Sequence, residues 1–308
     1  MPHFAPGNEF DDVIPVHFCG DWATPDMTGN SYEGRQTVEA RRLLNTIHLA
    51  NMLRELEYAS NQLGCEEDAQ WCGGKADQLA RLIRDGHRDP ETGRYGTGSQ
   101  AEQAMAWVGR FDPDEESRAA TFQALRDSIH DNDDRLSTGV IGTYYLLRAL
   151  TDAREVDLAY KLITRKGGPS WGDMIRRGAT TFWEYWWVPF AAHVHSSYAC
   201  VGMWFTQALG GIRVDPDAPG YRRILIQPQV PEALSEAAGC LDTPYGPVAV
   251  RWKRTGTSTQ FSIDVPPGCE AVADLPLSAQ EGADSPLPGC RRITLSPGNT
   301  TLTTTKEA

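Results

Sequence analysis

In the stretch GATTFWEYWW, Gly178 to Trp187, one carboxylate, Glu184, stands between Trp183 and Tyr185, with Trp186 and Trp187 just beyond. Stripping a carboxylate of water against aromatic surface costs several kcal/mol unless something compensates. Glu184 is therefore either solvated at a rim, with its neighbours packed in a core, or held in an aromatic pocket for a chemical reason.

Other residues invite the same weighing. CGDWATP contributes Asp21 and Trp22. Taken alone, Asp21 is a turn or cap residue and Trp22 a packing residue. HVHSSYACVGMWF carries His193 and His195. No acidic or cysteine cluster accompanies this pair, so no metal is expected, and the bare reading of His195 is packing at a helix start. The glycines of GTGSQ do not follow a strand, which argues against a phosphate loop. No Gly-x-Ser-x-Gly elbow occurs, which argues against a serine hydrolase. No cofactor is expected.

Bulk properties narrow the classes. The 308 residues are 40% hydrophobic and 23% charged, the balance of a soluble globular chain of one large or two ordinary domains. A net charge of −12 argues against nucleic acid or an anionic membrane as partner. The first residues, MPHFAPGNEFDD, have neither a basic region nor an apolar core, so the expected location is cytoplasmic. Seven cysteines with no CxxC pair fit free thiols in a reducing compartment.

The elements that must position these residues divide by texture. From about 34 to 210 the pattern is helical. TVEARRLLNTIHLANMLRELEYASNQLG spaces Leu43, Leu44, Ile47, Leu49, Leu53 and Leu56 for a helix that stops at Gly64. A second helix, over 66–86, is weakened by Gly73 and Gly74. Further helices are predicted from SQAEQAMAWVGRF, DEESRAATFQALRDSIHD, STGVIGTYYLLRAL, EVDLAYKLITR, WGDMIRRGATTFWEYW and SSYACVGMWFTQAL. Short connections imply stacked antiparallel hairpins. After about 215 come short alternating runs rich in Val, Ile and Thr: YRRILIQPQV, GPVAVRWKRTG, TQFSIDVPPG, EAVADLPL and RRITLSPGNTTLTTT. They predict a small antiparallel β-sandwich. The expected domains are 1–214 and 215–308.

Several segments, in order, resemble the bacterial α-L-rhamnosidases of glycoside hydrolase family 78. GGPSWGDMIRRGATTFWEYW is similar to the family's Pro-Ser-Trp-Gly stretch leading through Gly-Ala-Thr-Thr to Trp-Glu-x-Trp. RLSTGVIGTYYLLRALTD, TGRYGTGSQAEQAMAW and CGDWATP resemble three further family segments, and PDAPGYRRILIQPQ with TPYGPVAVRWKR resembles the opening of its C-terminal β domain. The likeness spans about residues 15 to 275. It implies a six-hairpin (α/α)6 toroid followed by the β-sandwich, and removal of terminal α-L-rhamnose with inversion. The general base of the family maps onto Glu184. Asp21, Trp22, Trp183, Trp186 and His195 map onto positions that line or contact the sugar. The implied partner is a rhamnose-containing glycoside or oligosaccharide.

The likeness has gaps. Twelve helices make a six-hairpin barrel, and about eight are predicted here. The acidic Arg-Asp-Glu segment that supplies the family's general acid has no match, and Asp11, Asp12 and Asp21 are the nearest substitutes. The expectation is an incomplete toroid, a truncated form with weak or no activity, and self-association through the inner apolar faces that an open barrel exposes. Two other readings stay open: a non-catalytic carbohydrate-binding or scaffolding remnant, and a lyase on the same toroid. Lyases of acidic sugars want Arg or Lys in the cleft, and TTFWEYWW has neither.

Overall fold

A computed structural model describes residues 20–26, 36–186, 192–276 and 282–305. Asp11, Asp12 and Trp187 lie outside them. By compactness the chain forms two units, Met1–Ala149 with Lys161–Tyr198, and Leu150–Tyr160 with Ala199–Ala308. The change of texture from helix to strand falls later, near residue 212.

The eight helices among the described residues are α1 (Val38–Gln62), α2 (Glu66–His87), α3 (Gln100–Gly109), α4 (Glu115–His130), α5 (Val140–Asp152), α6 (Val156–Thr164), α7 (Trp171–Arg176) and α8 (Val201–Trp204). In the first unit α1 packs against α2 and α3, and α3 against α4. The side chain of Thr37 caps α1 by accepting from Ala40 N, and Gly64, at φ +71°, closes its far end. Leu43, Leu44, Ile47 and Leu53 are buried as their spacing requires, whereas Leu56 lies exposed. Gly73 does not break α2. A Cβ there would meet only the carboxylate end of the flexible Glu57 side chain on α1.

The start of α3 explains the YGTGSQAEQ motif. Ser99 and Glu102 form a capping box, with Glu102 Oε2 accepting from Thr97 N at 3.0 Å and Ser99 N at 3.1 Å. Gln103 holds both backbone groups of Tyr95, at 3.1 and 2.8 Å. Gln100 donates to Arg135 O at 2.8 Å and accepts from Ser137 N at 2.9 Å. The motif thus fixes its own loop and the one that leads into α5.

The helix predicted over 171–186 stops at Arg176. Gly178, at φ +91°, takes the chain out of it, and the residues up to Trp186 run without helix. Glu184 therefore stands on an irregular segment. The last predicted helix begins later than its pattern, at Val201, and passes into a π-helical turn, Phe205–Leu209.

Among the described residues the second unit holds nine strands: β1 (Ile212–Val214), β2 (Arg223–Ile226), β3 (Glu236–Thr243), β4 (Gly246–Thr255), β5 (Ser258–Val265), β6 (Glu270–Leu275), β7 (Ala283–Asp284), β8 (Arg291–Leu295) and β9 (Gly298–Thr305). They form two sheets, ordered β1-β2-β6-β8-β7 and β3-β4-β5-β9. Inward residues of both, among them Ile224, Ile226, Val250, Phe261, Ile263 and Ala273, share one core, as in a β-sandwich. The sandwich is not purely antiparallel, because β2 and β6 pair in parallel. The terminal run RRITLSPGNTTLTTT forms two strands, β8 and β9. Trp252 sits in this core and donates its indole N–H to Leu209 O at 2.9 Å, anchoring the π-helical turn to β4.

Ile263 on β5 is fully buried. Ile263→Ala is expected to lower the unfolding free energy by about 2–5 kcal/mol, measured by urea denaturation. A loss below about 1 kcal/mol would contradict this account of the sandwich core.

Candidate functional site

The candidate site in the first unit is built on the first turn of α5. Asp21 is buried, and its carboxylate accepts from Gly139 N at 2.6 Å and Gly142 N at 2.7 Å, with a further backbone bond from Ile141. These are the donors that a helix start leaves unpaired, at the positive end of its dipole. Glycine is required on the receiving side. A Cβ at Gly142 would collide with the Asp21 carboxylate, and one at Gly139 with the Trp22 carbonyl. That carbonyl accepts from Val140 N at 2.7 Å. Gln36 secures the other side of Asp21, accepting from its N–H at 3.1 Å and donating to its carbonyl at 2.8 Å. Burial pushes the Asp21 carboxyl up to about 6, with nearby Asp26 adding to the rise, while the Gly142, Gly139 and Ile141 N–H groups pull it down.

Beneath this clamp lies an aromatic core. Trp186 is 2% exposed, stacks on Tyr198 with ring centres 3.8 Å apart, and meets Trp171 edge-on. Its indole donates to Thr138 O at 2.9 Å. Trp171 donates to Tyr198 O at 2.9 Å, and the Tyr198 hydroxyl donates to Ala23 O at 2.6 Å. Ala23 is held at φ +64°, a left-handed conformation that a non-glycine residue adopts only when its surroundings impose it. Trp186 has both a ring face and its N–H committed to the interior. Its observed role is to tie the Glu184 segment to the loop before α5.

Trp22 is only half-buried as a residue and meets Tyr185 edge-on at 6.0 Å between centroids. Its indole Nε1 is buried with no hydrogen-bond partner. Trp183, also half-buried, stacks on His193 at 4.7 Å, and the Arg177 guanidinium lies 5.3 Å from its ring centre. Glu184, between Trp183 and Tyr185 in sequence, is half-buried. Its N–H donates to Ala192 O at 2.9 Å, and its carboxylate accepts from Ala192 N at 3.2 Å. Across the same pairing His195 N donates to Phe182 O at 2.9 Å, and the Thr181 hydroxyl donates to His193 O. Ser197 N donates to His195 Nδ1 at 3.0 Å, so Nδ1 is an acceptor and the ring proton sits on Nε2 as a donor.

The structure thus brings Trp22, Trp183, Glu184 and His195 onto two neighbouring supports: the clamp at α5, and the paired segments 181–186 and 192–195. Asp21 and Trp186 serve beneath them. A cavity of about 640 Å³ opens beside Asp21, between the starts of α1, α3 and α5, bordered by Thr24, Thr37, Ser99, Arg135 and Ser137. Trp22, Glu184 and His195 are not among its described lining residues. Among the described residues no group of three or more His, Cys, Asp and Glu could hold a metal ion.

Comparison with known proteins identifies the architecture. Residues 6–209 match the family model of the bacterial alpha-L-rhamnosidase six-hairpin glycosidase domain, and residues 211–298 that of the bacterial alpha-L-rhamnosidase C-terminal domain. The chain belongs to this family. An alpha-L-rhamnosidase of Formosa agariphila is 33% identical over 282 residues, 88% of this chain and 30% of that protein. One from Alteromonas sp. is 28% identical over 268 residues, 83% of this chain and 29% of that protein. The chain therefore spans about 30% of the length of these curated relatives. Among solved structures, alpha-L-rhamnosidase from Dictyoglumus thermophilum superposes with a TM-score of 0.83 at 24% identity, covering 94% of this chain and 34% of that one. The Streptomyces avermitilis alpha-L-rhamnosidase complexed with L-rhamnose superposes at 0.81 and 24% identity, covering 94% and 28%. These superpositions show that the fold is the rhamnosidase fold.

Sequence reasoning missed Gly139 and Gly142 as receivers of Asp21, Tyr185 as the partner of Trp22, and Ser197 as the residue that sets the His195 tautomer. Only the last carries a local signal, a serine two positions after a histidine.

The Asp21 carboxyl gives a pH test. Its folded pKa of about 6 lies above the ordinary 3.8, so the fold favours the protonated form. The resulting stabilisation is fully present below the unfolded value and is lost as pH rises through about 6. Asp21→Asn cannot ionise. The stability of wild type relative to this variant should therefore rise by up to about 3 kcal/mol between about pH 7 and about pH 4, read by chemical denaturation. A difference that does not change with pH would contradict the assignment.

Proposed function

We propose that this chain forms the base side of an α-L-rhamnoside hydrolase site that works with inversion. The observation that carries the reading is a half-buried Glu184 flanked by Trp183 and Tyr185, with the unpartnered indole of Trp22 against Tyr185. Aromatic faces suit the apolar face of a sugar ring, and an orphan indole N–H suits a sugar hydroxyl. Glu184 takes a proton from a water molecule as the water oxygen attacks the anomeric carbon. The bond to the leaving oxygen breaks on the opposite face, and that oxygen needs a proton from an acid. Inverting enzymes hold the two carboxyl groups roughly 6.5–9.5 Å apart to leave room for the water. His195 offers its Nε2–H, and Trp22 its indole N–H, as donors to the sugar; Trp183 supplies a wall. The substrate is a terminal α-L-rhamnoside.

Nothing among the described residues matches the family's acid segment. Asp21 is an unsuitable substitute, since both its oxygens are engaged at α5. The proposal therefore assigns the base and leaves turnover most visible where the leaving group needs least protonation. Aryl rhamnosides with activated leaving groups should be hydrolysed in preference to natural glycosides. Glu184→Gln keeps the shape of the side chain but cannot accept the water's proton. It should lower kcat on an aryl α-L-rhamnoside by about 10²–10⁴-fold and leave L-rhamnose affinity within about threefold. Retained turnover in this variant would remove Glu184 from the chemistry. Rhamnose binding without turnover in the wild-type chain would favour a carbohydrate-binding role instead.

A further inference from the structure

Asp21 borders the cavity beside α5, but both of its carboxylate oxygens are taken by the helix. One carboxylate oxygen receives Gly139 N and the other Gly142 N, and the next residue gives its carbonyl to Val140 N. Two consecutive residues are thus seated on one helical turn, and their separation from it in sequence is 118 residues for the Gly139 contact and 121 for Gly142. A capping residue from within α5 would satisfy the same donors without fixing anything else. A cap supplied from elsewhere in the chain fixes whatever follows it, and here that is Trp22. The ring of Trp22 meets Tyr185, and its buried Nε1 lacks an acceptor. An orphan donor of this kind loses hydration without return until an acceptor reaches it.

We propose that Asp21 is a positioning residue: by clamping the first turn of α5 it sets the indole of Trp22 to donate to a hydroxyl of the bound sugar, and it does not itself touch the sugar. The inference rests on the assignment of Trp22 and Glu184 to a rhamnose site. Asparagine at position 21 would turn an amide N–H toward a backbone N–H, so one of the paired contacts must open. The indole should then shift although every atom of Trp22 remains.

A double-mutant cycle tests this in the 308-residue chain, with L-rhamnose affinity measured by titration calorimetry. Asp21→Asn alone should weaken binding about tenfold. In a Trp22→Phe background, which keeps a ring but removes the N–H, the same change should cost less than about twofold, because the two residues act as one unit. Additive losses would overturn the proposal and leave Asp21 a merely structural cap or a direct sugar ligand. A second readout needs no sugar: the ¹H–¹⁵N indole resonance of Trp22, identified by its disappearance in Trp22→Phe, should move in Asp21→Asn. An unmoved resonance would also overturn the proposal. If Asp21→Asn does not fold, Asp21→Ser keeps one acceptor for the helix start and carries both measurements. A wild-type chain that binds no rhamnose would sink the functional reading, while the indole resonance would still decide the clamp.

Discussion

A buried carboxylate set into the first turn of a helix organises the candidate site. Asp21 would be costly to bury alone, and the unpaired N–H groups of α5 would be costly to bury alone. Each offsets the other, at 2.6 and 2.7 Å. The geometry works because both receiving positions are glycine: a side chain at Gly142 would strike the Asp21 carboxylate, and one at Gly139 the Trp22 carbonyl. From this contact the next layers follow. Trp22 is fixed by its carbonyl on Val140, Ala23 is held left-handed with its carbonyl on Tyr198, and Tyr198 stacks on Trp186. Trp186 in turn lies two residues beyond Glu184 on the same segment.

This layering explains how a charged side chain stands within an aromatic run. The aromatic residues of 182–186 do not share one environment. Trp186 is core, with its N–H on Thr138, whereas Trp183 and Tyr185 remain half-buried and pair with His193 and Trp22. Glu184 keeps partial access to water and a single described hydrogen-bond partner, Ala192. A general base needs both: ionisation at working pH and room for the water it activates. The Trp186 anchor limits the freedom of the segment, and the pairing of 181–186 with 192–195 limits it further.

Much of the fold was legible because its signals are local. Thr37, Ser99 and Ser170 cap helices from within their own motifs, and alternation in β4 and β5 marks Val250, Trp252, Phe261 and Ile263 as inward. The failures are equally physical. WGDMIRRGATTFWEYW keeps helical spacing past Arg176, but Gly178 and the tertiary hold on Trp186 take the chain elsewhere. The parallel pairing of β2 with β6 depends on contacts some 47 residues apart, as between Arg223 and Glu270, which alternation does not encode. At the site, the aromatic run pointed to Glu184, but the division of Trp22 from Trp186 did not follow from residue type. Asp21 was legible as a cap without the helix it caps, since Gly139 and Gly142 lie far along the chain.

The central claim is that Glu184 activates water for a single displacement at the anomeric carbon. The most direct measurement is the configuration of the sugar first released from an aryl α-L-rhamnoside, followed by ¹H NMR before mutarotation. Direct attack by a water that Glu184 deprotonates predicts β-L-rhamnose as the initial product. Initial release of α-L-rhamnose would require a covalent intermediate and would contradict the role assigned to Glu184.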